Sequence, residues 1–187
     1  MAESRTMAEA ARLVTAEELE KFPDDGYRYE LVRGRVVRMS PPGFTHGRIA
    51  ARIVALLSRY LEGRDLGIVA VEPGCKLESN PDTVRGPDVA FVRKERIPSP
   101  EPKGFWSGAP DVAFEVRSPD DRPGEIRAKV AEYLTHGVTA VVLVDPDKKT
   151  VVVSRRSRPS ATLRGDDTVD LADVIIGFRC RAREIFE

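Results

Sequence analysis

Two acids and a cation in the middle of the chain, Asp88, Glu115 and Lys129, are the residues best suited to do chemistry. On an extended strand with alternating sides, Glu115 and Arg117 point to one face and Phe114 and Val116 to the other. Asp88 lies at the start of a second apolar run, Pro87–Val92. If the two strands are neighbours, both carboxylates converge on one hard divalent cation. Mg²⁺ takes oxygen ligands and keeps several of its waters. A cation held in this way stabilises charge on a phosphoryl group and orients an attacking water. Lys129 sits at the edge of an apolar helical stripe, three residues after Ile126 and four before Tyr133. Such a lysine can bury its stem and turn its ammonium into a cleft, or it can simply reach solvent or Glu125.

These residues need a frame, and the hydrophobic pattern supplies one. Asp111–Arg117 reads as a central strand, Gly124–His136 as a helix introduced by Pro123 and stopped by Gly137, and Thr139–Val144 as a β-branched strand. Strand, helix and strand in that order predict a crossover with parallel pairing. Val151–Arg155 returns after a turn at Asp145–Lys149, a weak strand follows near Ala161–Leu163, and a last short helix covers Ala182–Phe186. Upstream, Thr15-Ala-Glu-Glu18 has the form of a capping box, opening a short helix that ends before Pro23. Tyr27–Val32 and Arg35–Met39 flank Arg33-Gly34 as a β-hairpin whose first strand carries Glu30. A helix from Thr45 to Leu61 places Ile49, Ile53 and Leu57 on one side, with His46 on that same side in its first turn. Val69–Leu77 reads as one strand distorted at Pro73-Gly74, and Glu78–Gly86 as a polar segment. The long Pro/Gly-containing stretch Arg93–Ala109 reads as a lid or a partner surface, and Phe105-Trp106 within it reads equally as a patch packed onto the core.

Together these elements predict an α/β (mixed α+β) fold. A central mixed β-sheet is flanked by helices and preceded by the hairpin. Residues 1–12 form a flexible N-terminal extension and residues 13–187 a single domain, a size that 187 residues permit. The chain is 41% hydrophobic and 32% charged, enough apolar residues for a sizeable core. Thirty basic residues balance thirty acidic ones, which speaks against a diffuse polyanion binder but leaves room for a local basic groove. With only Cys75 and Cys180, neither a disulfide framework nor a cysteine-based zinc site is expected. No apolar run reaches the roughly 18 residues of a membrane span, and Met1–Ala11 lacks a signal-peptide core, so an intracellular, cytoplasmic protein is the expectation.

Several short passages then resemble, in order, a bacterial family of restriction-endonuclease-like proteins within the PD-(D/E)XK nuclease superfamily. They are Tyr29-Glu30-Leu31-Val32-Arg33-Gly34, Met39-Ser40-Pro41-Pro42 with His46, and Pro87-Asp88-Val89-Ala90-Phe91-Val92. Further on come Pro110–Val116, Ser118-Pro119, Lys129, Tyr133, Gly137-Val138 and Leu143-Val144-Asp145-Pro146. The resemblance spans residues 15 to 187. It implies a restriction-endonuclease-like core around Mg²⁺ or Mn²⁺, with Asp88 and Glu115 as ligands and the Val116 carbonyl as a third. It implies that Glu30 is the N-terminal acid of the site. Where the superfamily pattern has lysine, two residues after the second acid, this chain has Arg117, and arginine stays protonated and cannot act as a base. The family's lysine comes from the following helix, which matches Lys129. His46 and Arg117 are supporting candidates.

The resulting expectation is a Mg²⁺-dependent endonuclease hydrolysing phosphodiester bonds, with DNA as substrate and partner, acting as a homodimer. Two alternatives stay open: a non-cleaving nucleic-acid-binding or assembly protein on a nuclease scaffold, and a hydrolase of small phosphate esters. Fold alone does not decide among them.

Overall fold

The computed structural model describes residues 12–119 and 121–187. The expected N-terminal extension therefore lies outside the described residues, except for Arg12, which pairs with Glu18. Thr15 does form a capping box: its hydroxyl accepts from the Glu18 amide at 3.2 Å while its own amide donates to the Glu18 carboxylate at 3.0 Å.

The elements follow as α1 (Ala16–Leu19), β1 (Arg28–Val32), β2 (Arg35–Met39), α2 (Phe44–Leu61), β3 (Gly67–Val71), β4 (Cys75–Glu78), β5 (Thr83–Arg85) and β6 (Val89–Arg93). Then come β7 (Trp106–Ser107), β8 (Val112–Val116), α3 (Pro123–Thr135), β9 (Ala140–Asp145), β10 (Thr150–Arg155), β11 (Arg158–Leu163), β12 (Thr168–Asp170) and β13 (Arg179–Arg181). A 3₁₀ turn at Ala182–Ile185 stands where the last helix was expected.

Two main sheets divide the strands. The larger has the order β11-β10-β9-β8-β6-β3 and is mixed, because β8 and β9 run parallel across the α3 crossover while its other pairs are antiparallel. The smaller has the order β2-β1-β5-β4-β7. It grows from the expected hairpin, whose Arg33 and Gly34 both take positive φ (50° and 73°), the backbone of a primed turn. β12 and β13 form a separate ribbon.

The alternation along β8 decides what each face of the larger sheet does. Val112, Phe114 and Val116 join Ile49, Ile53 and Leu57 of α2 in the main core, together with the C-terminal Ile175, Phe178 and Ile185. Ala113 faces the other way, in a smaller cluster with Tyr133, Val138 and Val141 under α3. Glu115 shares that second side with α3. A third cluster, of Ala16, Leu19, Leu31 and Val84, backs the smaller sheet.

Three expectations are corrected. Val69–Leu77 is two strands in different sheets: the chain leaves the larger sheet after Val71 and enters the smaller one at Cys75. The polar segment Glu78–Gly86 contains a buried strand, β5, in which Thr83 and Val84 are enclosed. Arg93–Ala109 is no lid over the acidic residues. Trp106 pairs with Cys75 in the smaller sheet, the Phe105 amide donates to Glu20 at 2.8 Å, and Phe105 packs on the third cluster. Phe105-Trp106 is thus used inside the chain, and no longer argues for a partner surface. Cys75 and Cys180 are free thiols, and burial pushes them up to about 12 and about 11. Among the described residues no helix is long and apolar enough to cross a membrane.

Candidate active site

The chain passes from the smaller sheet to the larger one through Gly86-Pro87-Asp88, and the candidate residues gather at this seam. Glu30 comes from β1, Asp88 from the entry to β6, Glu115 from β8 and Lys129 from α3. The Lys129 ammonium lies 2.9 Å from one oxygen of Glu115, 3.0 Å from the other and 3.1 Å from Glu30. One turn further along α3, the buried Tyr133 hydroxyl donates to Glu115 at 2.8 Å. Lysine and tyrosine four residues apart share a helix face, so both reach the same carboxylate.

Asp88 is fixed from three sides. The Val116 amide donates to it at 2.7 Å, His46 Nε2 stands 3.1 Å from the same oxygen, and Arg28 reaches the other oxygen at 3.3 Å. The Val116 bond ties Asp88 to the strand that carries Glu115. Glu30, 2% exposed, accepts from Arg85 at 2.8 Å and from the Gly86 amide at 2.9 Å. Arg85 in turn pairs with Glu132 of α3. A cleft of about 490 Å³ opens on Arg28, His46, Asp88, Glu115, Val116 and Lys129. An adjoining one of about 440 Å³ reaches Glu30 and Arg85 past the same lysine.

The charges are unevenly satisfied. Burial, with Asp88 and Glu30 nearby, outweighs Lys129 and pushes Glu115 up to about 7. Burial also works against the charged forms of Asp88 and Glu30, but their partners hold both below the usual carboxylate range: His46 first for Asp88, Lys129 first for Glu30. Burial disfavours the Lys129 ammonium, yet Glu115, Glu30 and Asp88 raise its pKa all the same. His46 is likewise raised, since its bond to Asp88 overcomes burial. Its Nδ1 is buried without a protein hydrogen-bond partner.

Each sequence candidate has therefore been placed. Asp88, Glu115, Lys129, Glu30, His46 and the Val116 backbone meet in one neighbourhood. Arg117 is engaged elsewhere: its guanidinium donates to Asp145 at 2.6 Å, pairing with an acid one strand away. Sequence reasoning missed Tyr133 as a polar contact, because it fell on the apolar stripe of α3. Its hydroxyl, four residues after Lys129, was the available signal. Arg85 and Glu132 carried no such signal. Among the described residues no three His, Cys, Asp or Glu side chains form a ready cage for a metal ion.

A family model described as Uma2, "Putative restriction endonuclease", matches residues 16–183. The chain belongs to that family. Membership in the Uma2 family accounts for nearly the whole described chain, from α1 to the final 3₁₀ turn. The crystal structure of a "putative nuclease belonging to DUF820" from Anabaena variabilis superposes with a TM-score of 0.81. The two share 22% identity over 92% of this chain and 97% of that one. At that identity the likeness speaks for the fold, which is nuclease-like. Comparison with curated proteins finds no match.

Proposed function

We propose that this Uma2 protein hydrolyses phosphodiester bonds in nucleic acid, DNA in the first instance, with Mg²⁺ or Mn²⁺ as the resident cation. The observation that carries this reading is one ammonium, Lys129, within 3.1 Å of the buried Glu30 and the half-buried Glu115, beside a cleft that a third acid, Asp88, also lines. The donor set fits a hard cation. Asp88 and Glu115 would hold it together with the Val116 carbonyl, leaving its other positions to water, as Mg²⁺ prefers. Burial first, then Asp88 and Glu30, push Glu115 up to about 7, so a bound cation would favour its charged form. When bound, the cation would supply Lewis acidity at the phosphoryl oxygen and a more acidic water.

The protein's residues do the rest. A water oxygen forms a new bond to phosphorus as the bond to the leaving oxygen breaks. That oxygen departs with its electron pair and takes up a proton. Lys129 positions the water and offsets the charge spread over the phosphoryl oxygens. Glu30, anchored by Arg85 and the Gly86 amide, positions Lys129. His46 and Arg28 orient Asp88. Each chain brings one such set among its described residues, so cutting both strands of a duplex calls for two copies, and twofold pairing is the commonest way to supply them. Sedimentation on duplex showing only one 20.7 kDa chain bound per duplex would count against that pairing.

The test is a metal-dependent cleavage screen over linear, circular, branched and single-stranded nucleic acids, with Glu115→Ala as control and Mn²⁺ calorimetry alongside. Cleavage and a Mn²⁺ heat that disappear together in Glu115→Ala and in Asp88→Ala are the expected result. Cation binding without cleavage of any substrate would leave a nucleic-acid-binding scaffold. No cation binding at all would end the proposal. The 93–109 segment lines neither cleft, so nothing in its position favours a small-ester hydrolase over the nucleic-acid reading.

A further inference from the structure

Beside the acidic cleft lies a second groove of opposite character. About 300 Å³ in volume, it is lined by Arg117, Arg127, Lys148 and Arg164 with Asp145 as its one acid. Four cations against one acid is a marked local excess in a chain whose basic and acidic residues balance at thirty each. Asp145 does not neutralise the groove so much as organise it. It binds Arg117 at 2.6 Å and Lys148 at 3.2 Å, holding both cations at the rim. Arg117 Nε is buried and has no hydrogen-bond partner, a donor left over from the pair with Asp145. Arginine's planar fork suits a phosphate diester, which offers two oxygens in one plane.

Strand register shows where this groove stands relative to the candidate active site. Glu115 pairs with Leu143, Leu143 with Val152 and Val152 with Thr162, so these four form one row on one face across β8, β9, β10 and β11. Leu143, Val152 and Thr162 floor the groove, and Leu143 and Arg117 also line the acidic cleft. Adjacent strands lie about 4.8 Å apart, so the row extends about 5 to 14 Å beyond Glu115. A duplex strand carries one phosphate per about 3.4 Å of axis, so that distance matches about one to four nucleotides.

We propose that this groove is a backbone-phosphate track, in which Arg117, Arg127, Lys148 and Arg164 grip the substrate strand beyond the phosphate at Glu115. The inference rests on the reading of the acidic cleft as a nucleic-acid site, and it deepens that reading by naming the path of the strand. It also gives Arg117, set aside as a catalytic cation, a function as a substrate contact. The chemistry recognised is a chain of phosphodiesters rather than a base or a single free phosphate.

The experiment measures binding, not cleavage, so it stands apart from the test of hydrolysis. Binding of a fluorescent single-stranded and a duplex oligonucleotide is followed in EDTA over a range of salt concentration. The 187-residue parent is compared with Arg127→Ala, Arg164→Ala, the double variant, and Arg59→Ala on the far side of the sheet. All three altered side chains are on the surface, and thermal melting verifies that the fold persists. The double variant should lower the slope of log affinity against log salt by about 1.8 on duplex and about 1.4 on single strands, with Arg59→Ala unchanged. An unchanged slope in the double variant, or an equal drop in Arg59→Ala, overturns the proposal. Two further arms separate the sources of phosphate. Affinity that rises with oligonucleotide length up to about four nucleotides supports a track. Binding of inorganic phosphate or a mononucleotide as tight as that of the longer oligonucleotides would assign the groove to a free anion and reject the track. Should the parent bind with the expected slope but never cleave, hydrolysis fails and the track remains.

Discussion

Lys129 compensates Glu115 and Glu30 at once, and this sets what its removal should do. Lys129→Met keeps most of the apolar stem but leaves Glu115 and Glu30 facing each other. Stability should fall by about 3 kcal/mol at about pH 8, where Glu115 of the parent is ionised and held by Lys129, and by less at about pH 6, where it already carries a proton; chemical denaturation at the two values checks this. Single-turnover cleavage, with whichever substrate the screen identifies, should slow by about 10²-fold or more. Arg117→Met should instead act on stability and substrate affinity, and a reversal of these two outcomes would move the catalytic cation to the Glu115 strand. Glu115 itself gives a pH dependence with two opposite signs. Its raised pKa means that the fold favours the protonated form, so its contribution to stability is present below the ordinary carboxylate range and lost as pH rises through about 7. Cation binding needs the carboxylate, so Mn²⁺ affinity by calorimetry should fall as pH drops through about 7. Tyr133→Phe deletes a hydrogen bond to the ionised form of Glu115 and should move that midpoint upward, with the fold intact.

At the scale of elements, legibility follows length and periodicity. α2 has a buried face of His46, Ile49, Ile53 and Leu57, and the spacing of those residues announces it. The β8–α3–β9 crossover is legible for the same reason, and so are Glu115 and Lys129, which it carries. β5 has three residues and β7 two, too few for any period to show, so the smaller sheet remained hidden beyond its hairpin. The break at Pro73-Gly74 was visible, but its meaning was not. A proline and glycine can bend one strand or separate two, and only the pairing of Cys75 with Arg85 and Trp106 decides between them. Arg85 could not be anticipated because its role depends on where β5 lies against β1. β3 also depends on a backbone detail. Gly67 has φ 151°, and a Cβ there would stand 2.2 Å from the Val92 carbonyl oxygen. Gly67→Ala should cost about 2 kcal/mol or more and loosen the β3–β6 edge, seen as faster amide exchange in Ile68–Val71 than in β9.

Across the whole molecule, the neutral total of thirty basic and thirty acidic residues conceals an unevenness: acids and cations pair off at the seam between sheets, while four cations and one acid line the groove beside β9 to β11. The seam has a consequence for durability. Glu30 and Arg85 belong to one sheet and Glu115 to the other, with Asp88 at its entry, and Lys129 touches an acid from each. This centre therefore draws on two separately backed layers, and if they melt independently the weaker one sets its upper temperature. Leu31→Ala, in the small cluster behind the smaller sheet and outside the main core cluster, should cost about 2–5 kcal/mol. Heated in steps, that variant should lose Mn²⁺ binding before the larger sheet melts, as followed by amide exchange in β8 and β9. Loss of both in a single transition would mean that the layers yield as one. If they yield separately, the centre works as a thermal fuse: a slackened smaller sheet switches it off while most of the protein is still folded.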